Sequence, residues 1–216
     1  MPHSNPAVRN LPQRSAQADR LIALGVHELA GMPAAQLRSL AAGDATTDGL
    51  LVLSETTVPA SALAPLLSLG DRRGFVVEDM TDVDTFGPIE GLSLPSGPAY
   101  VVHGLERGDE MANWSPHEAL PSIADAGRSP LTLTEGIHWA LQMPEVIERN
   151  HCFMTIGSRR RKADGRLDAR TPALWISNGT GRDGRGRRGA PKVGWCWAGN
   201  RHTWLGFASA ADRLPI

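Results

Sequence analysis

The alternation of apolar and polar positions divides the chain into a mixed helix-and-strand first two-thirds and a strand-rich last third. Ala18, Leu21, Ile22, Gly25, Val26 and Leu29 recur at helical spacing, which predicts a helix over 14–30 that Gly31 stops. Pro33 stands at the start of a second short helix running to Ala42 and closed by Gly43. The unbroken apolar run 50–53 predicts a buried strand, and 74–77 and 100–103 predict two more. Between them, 59–69 reads as a helix that Pro65 kinks or shortens. Two capping boxes follow. Ser115 with Glu118 opens a helix reaching about Ala126, and Thr132 with Glu135 opens one that Pro144 breaks, with Ile137, Trp139 and Leu141 inward. Strands are expected over 151–157 and 172–177.

The segment 190–208 then gathers three of the six tryptophans, a cysteine, a histidine, an asparagine and a lysine between turn-forming glycines. Trp195 and Trp197 stand two apart, so in a strand they share one face while Cys196 takes the other. Two readings stand side by side: a hairpin whose aromatic face is core, or a pocket wall of indoles oriented by a few polar groups. The predicted fold is α+β, an antiparallel sheet ending in a C-terminal β-meander, with helices packed mainly on one face. Residues 1–12 read as a flexible arm. Residues 13–216 read as a single domain carrying a Gly/Arg-rich loop at 178–189.

Composition narrows the function classes. A chain of 216 residues with 41% apolar and 21% charged residues and a net charge of −1 carries no global field favouring nucleic acid or membrane. No apolar run approaches a membrane span and the N-terminus lacks an apolar leader core, so a cytoplasmic protein is expected. Cys152 and Cys196 are too few for a disulfide framework.

Several motifs compete. Gly179 to Gly184 spells G-x-G-x-x-G after a strand, but the Gly/Arg run behind it is a poor helix opener, which argues against a dinucleotide site. Residues 159–188 carry ten basic side chains against three acids, a surface suited to phosphate or RNA, or else a mobile, solubilising hairpin tip. Asp79, Asp82 and Asp84 lack calcium-loop spacing and read as a solvated segment. His151, Cys152, Cys196 and His202 lack the close ligand pair of a zinc site, so no metal is expected, and apolar neighbours argue for inert thiols.

The segments 148–153, 157–159, 172–177, 190–197 and 200–205, with 119–121 and 130–136 before them, resemble an actinobacterial family of unknown function over roughly 15–210. The resemblance implies a cytoplasmic protein and supplies no reaction and no catalytic residues. The leading expectation is a small-molecule-binding or accessory protein. Its pocket has Trp175, Trp195, Trp197 and Trp204 as walls, and Lys192, Asn200, His202 and Arg149 meet a polar or anionic group. One alternative is a biosynthetic enzyme using His202 as acid or base. Another is an RNA- or nucleotide-binding protein acting through the Arg-rich loop. No cofactor is expected. Whether the chain is an enzyme, and its oligomeric state, are left open.

Overall fold

The computed structural model describes residues 11–42 and 49–216. The expected arm falls almost wholly outside the described residues, as does Gly43. The chain is α+β, with two principal sheets around one helix.

Helix α1 (Arg14–Ala23) ends earlier than its apolar stripe. Gly25 adopts φ +75°, which breaks the helix and leaves a separate turn at Val26–Leu29. Helix α2 (Ala34–Ala41) follows. Strand β1 (Leu50–Leu53) is buried throughout. The segment after it yields one α-turn, Ala60–Leu63, and a 3₁₀ turn, Ala64–Leu66, because Pro65 cannot continue the helix. Next come β2 (Phe75–Val76), β3 (Ala99–His103), α3 (Pro116–Asp125) and α4 (Leu133–Gln142), the two helices opened by the two expected capping boxes. The last third supplies β4 (Cys152–Met154), β5 (Arg170–Ile176), β6 (Pro191–Trp197), β7 (Leu205–Phe207) and β8 (Asp212–Pro215).

A three-stranded antiparallel sheet has the order β1-β3-β8. A five-stranded sheet has the order β7-β4-β5-β6-β2. The meander forms through β4, β5 and β6, which pair antiparallel. It stops at Trp197: the turn 198–204 carries the chain to the far edge, where β7 joins β4 in parallel, and β2 joins β6 in parallel at the other edge. The sheet is therefore mixed at both margins.

Helix α4 lies between the sheets, and all ten of its residues are buried. Gly136 permits the close approach, since a Cβ there would meet Thr155 Cγ2 at 2.5 Å and Phe153 at 3.1 Å. Its polar residues are matched inside the core. His138 donates from Nδ1 to the Thr134 carbonyl at 2.9 Å and accepts at Nε2 from Leu53 N–H at 3.2 Å, and burial holds its pKa down near 4, so it stays neutral. Glu135 is fully buried and accepts from Arg213 Nε at 2.6 Å, Arg213 Nη2 at 2.8 Å and the Tyr100 hydroxyl at 3.0 Å. That ion pair fastens β8 to the start of α4. The open edge of β1 is covered by Gln17, whose amide pairs with Gly49 O and Leu51 N at 2.8 Å each, as a neighbouring strand would. No helix among the described residues is long and apolar enough to cross a membrane.

Candidate functional site

The indole-bearing strands β5 and β6 lie side by side, with Trp175 opposite Lys192 and Pro172 opposite Trp195. Gly194 has no side chain because the Trp175 ring lies across it. A Cβ there would stand 2.6 Å from Trp175 Cη2 and 3.0 Å from Val77 Cγ1. Two clefts open around Trp175 and share it and Asn178 as walls.

The larger cleft, of 300 Å³, is lined by Val77, Asp79, Trp175, Asn178, Thr180, Asp183, Lys192 and Trp195. Its floor is an ion pair: Lys192 Nζ stands 2.5 Å from Asp183 Oδ2, both side chains only 11% exposed. The Ser177 hydroxyl donates to the same carboxylate at 2.7 Å and accepts from Gly179 N–H at 3.1 Å. Lys192 Nζ also lies 4.6 Å from the centroid of Trp175.

Asp183 comes from the Gly/Arg loop, and this explains the loop's shape. The loop is not a free hairpin tip. Hydrogen bonds from Ser177 N to Ala190 O and from Gly189 N to Ser177 O close its base at 2.9 and 2.8 Å. Two 3₁₀ turns, Gly181–Asp183 and Arg185–Arg187, fold it back toward the sheet. Arg187 covers the Phe75 ring at 4.5 Å, and Arg72 reaches Gly186 O at 3.4 Å. The G-x-G-x-x-G letters thus open no long helix.

Behind Trp195 the acidic segment is drawn into a charge cluster instead of being solvated. Arg170 Nη2 bonds Asp82 at 2.7 Å and Asp168 at 2.9 Å, and Arg160 also pairs with Asp82. The Arg170 guanidinium lies 5.9 Å from the Trp195 centroid and 5.2 Å from Phe86. Its hydrogen bonds to Asp168 hold that carboxyl down at about 2.

The smaller cleft, of 140 Å³, is lined by Arg149, Asn150, Cys152, Trp175, Ile176, Asn178 and Trp204. Arg149 and Asn150 form a tight turn between Glu148 and His151, whose backbones pair in both directions at 3.0 Å, and Asn150 supplies the φ of +67° the turn needs. Trp204 meets Trp175 edge-on at 6.1 Å.

The eight residues predicted for a single pocket therefore separate. Trp175 serves both clefts, Lys192 and Trp195 the larger, and Arg149 and Trp204 the smaller. Trp197 shares a face with Trp195, their rings 4.5 Å apart, but is 48% exposed and lines neither cleft. Asn200 is exposed and closes the turn onto Trp197 O at 3.0 Å. His202 packs on Trp204 at 5.2 Å, its Nε2 is buried without a hydrogen-bond partner, and burial lowers its pKa; it too lines neither cleft. Sequence reasoning missed Asn178, Thr180 and Asp183. Asp183 had a signal, being the only acid in the 178–189 loop.

Cys152 lies at the Trp175 end of β5 and Cys196 opposite Thr171 at the other. Burial pushes both thiols up to about 11. Among the described residues no three His, Cys, Asp or Glu side chains gather as metal ligands.

A third cleft of 170 Å³ lies apart from these, between Glu55, Asp84, Phe86 and the start of α4. Asp84 is committed there to Ser61, accepting from its N–H at 2.8 Å and its hydroxyl at 2.6 Å.

The sequence profile described as a family of unknown function (DUF5701) matches residues 20–216. No curated protein and no solved structure matches the chain.

Proposed function

The chain belongs to the DUF5701 family of unknown function, and from that premise we propose that it is a small-molecule-binding protein whose site is the larger cleft between Trp175 and Trp195. The observation that carries this reading is the Lys192–Asp183 pair. Two opposite charges, nearly withdrawn from water, form the floor of an open cleft walled by two indoles. Withdrawing both charges costs several kcal/mol, and hydrophobic replacement of such a pair is often neutral or better for stability. A ligand-orienting role accounts for a pair held at that place. The surrounding walls fit the pattern of ligand sites, apolar faces with a few placed polar groups. The volume suits a small metabolite.

The smaller cleft extends the same site around Trp175 and Asn178 toward Arg149. The arrangement that supports binding here uses Lys192 as one half of a fixed dipole with Asp183, where the sequence alone pointed to Lys192 as one of several groups meeting a polar or anionic ligand.

The test is intrinsic tryptophan fluorescence against a panel of metabolites of monosaccharide to nucleoside size. At least one class is expected to give a saturable change in the wild-type protein. Thr180 is exposed on the cleft rim, so Thr180→Phe is expected to fill the cleft and abolish the change while leaving the unfolding midpoint intact. A panel without any saturable response, or a response that survives Thr180→Phe, would overturn the reading.

A further inference from the structure

The Gly/Arg loop gives Asp183 to the larger cleft and turns Arg185 and Arg188 outward to solvent. That outer surface stands independently of the cleft. We infer that Arg73, Arg185 and Arg188, together with the stacked Arg187–Phe75 pair, form a docking surface for single-stranded nucleic acid. Two remote segments build it. A short hairpin pairs Ser68–Leu69 with Arg72–Arg73, and β2 follows it directly onto the edge of β6. This brings the hairpin beside the loop: Arg72 Nη1 reaches Gly186 O at 3.4 Å, and the Arg187 guanidinium lies 4.5 Å from the Phe75 centroid.

The basic run of 159–188 divides into two halves of different character. In the first half the arginines are taken up by the protein. Arg159 donates to the Asp168 carbonyl, Arg160 pairs with Asp82, Arg161 with Glu90 at 3.3 Å, Arg166 with Asp164 at 2.7 Å, and Arg170 with both Asp82 and Asp168. In the second half Arg185 and Arg188 are exposed and enter no ion pair among the described residues, and Arg73 of the hairpin is in the same state. Arg72 has only Asp71, at 3.5 Å and 90% exposed, an exposed pair worth about 0–1 kcal/mol that a phosphate can exchange for. The cations left for a partner therefore lie on the loop and the hairpin.

Guanidinium groups match phosphate oxygens with paired donors and stack on flat rings. Arg187 already stacks on Phe75, and its side chain is still 42% exposed, so its outer face is open to a base. Bases offer free faces in a single strand, whereas a duplex hides them in its own stack. Open space surrounds Gly184 and Gly186, which lets a strand approach the loop backbone closely. An anionic membrane fits less well, because surface attachment draws on apolar groups beside the basic ones. The large exposed apolar side chains among the described residues, from Leu29 to Ile216, belong to neither the hairpin nor the loop.

Fluorescence anisotropy of the full chain with labelled oligouridylate and oligothymidylate of about 12 nucleotides, at roughly 50 to 300 mM salt, tests this. Saturable binding is expected for at least one of them, and a preference between the two identifies the sugar that is read. Three arginines on a single strand should give a slope of about −2 in log affinity against log salt. The double variant Arg185→Gln/Arg188→Gln should weaken binding about tenfold and flatten the slope by about 1.4. Arg73→Gln, in the other segment, should flatten it by about 0.7. These side chains are exposed, so unfolding midpoints should stay at the wild-type value, and Arg73→Gln alone decides the matter if the loop variant is unstable. Arg161→Gln/Arg166→Gln removes the same charge from the paired half and should leave the slope unchanged. Absence of binding at the lowest salt, or a slope flattened equally by the Arg161/Arg166 variant, overturns the inference. A duplex of equal length bound as tightly overturns the single strand as partner. Recruitment to phosphatidylserine vesicles with neither oligonucleotide bound overturns nucleic acid in favour of a lipid surface.

Discussion

Removing the charge of Asp183 should loosen the cleft floor and the whole Gly/Arg loop together. In Asp183→Asn, Lys192 keeps its place over Trp175 but loses the carboxylate at 2.5 Å, and Ser177 loses a charged acceptor at 2.7 Å. Breaking a buried pair from one side costs about 3–5 kcal/mol. Here the ammonium borders an open cleft and retains its indole, worth about 0.5–2 kcal/mol, so a loss of about 2–3 kcal/mol is expected. For a chain of this size that lowers the melting temperature by about 5–10 °C. Lys192→Met should cost a similar amount, because it takes the ammonium from the carboxylate and leaves it the Ser177 hydroxyl. The double variant should recover much of either loss, with a coupling of at least about 1.5 kcal/mol in urea unfolding. Limited proteolysis should show cleavage within 178–189 in both single variants before the global transition. Additive single effects, with coupling below about 0.5 kcal/mol, would refute the view that the pair ties the loop to the sheet.

Three further outcomes follow from the rest of the structure. Arg213→Ala removes the ionic partner of fully buried Glu135, so a loss of about 3–5 kcal/mol is expected in urea unfolding; a loss under 1 kcal/mol would remove the pair as the fastening of the C-terminal strand. Asp168 is held at about 2 against an ordinary 3.8 by its hydrogen bonds from Arg170. Because the folded value is the lower one, its contribution is complete above pH 4 and is lost as pH falls through about 2. The stability gap between wild type and Arg170→Gln, followed by urea midpoints, should therefore close over that window. Gly194→Ala sets a methyl 2.6 Å from Trp175 and should cost about 1–3 kcal/mol with an altered tryptophan emission; an unchanged spectrum would mean that the indole does not depend on that glycine.

How far this was legible in the sequence depends on the range of the interaction. The capping boxes at Ser115 and Thr132 are four-residue patterns, and both helices start where those patterns place them. The antiparallel run of β4, β5 and β6 follows from strands adjacent in the chain. Gly25 was hidden because the apolar stripe of α1 continues through it on both sides, whereas its φ of +75° separates α1 from the turn at Val26–Leu29. The parallel partners β2 and β7 join from remote segments, and nothing in their own residues names the neighbour. The buried polar face of α4 reads as solvent-facing until a second sheet supplies partners for Glu135 and His138. At the site, the indoles and Lys192 stood out by type. Asn178, Thr180 and Asp183 did not, because the loop's composition is that of a solvated tip while one acid within it turns inward.

The most direct measurement is the indole N–H region of a ¹H–¹⁵N correlation spectrum, with the six tryptophans assigned by single Trp→Phe substitutions and metabolites of monosaccharide to nucleoside size added stepwise. Trp175 and Trp195 should shift together and saturate at one dissociation constant, while buried Trp139 and exposed Trp114, which line neither cleft, stay in place. Stationary Trp175 and Trp195 resonances under every neutral and charged compound, or shifts confined to exposed Trp197 and Trp114, would contradict a binding site between these two indoles.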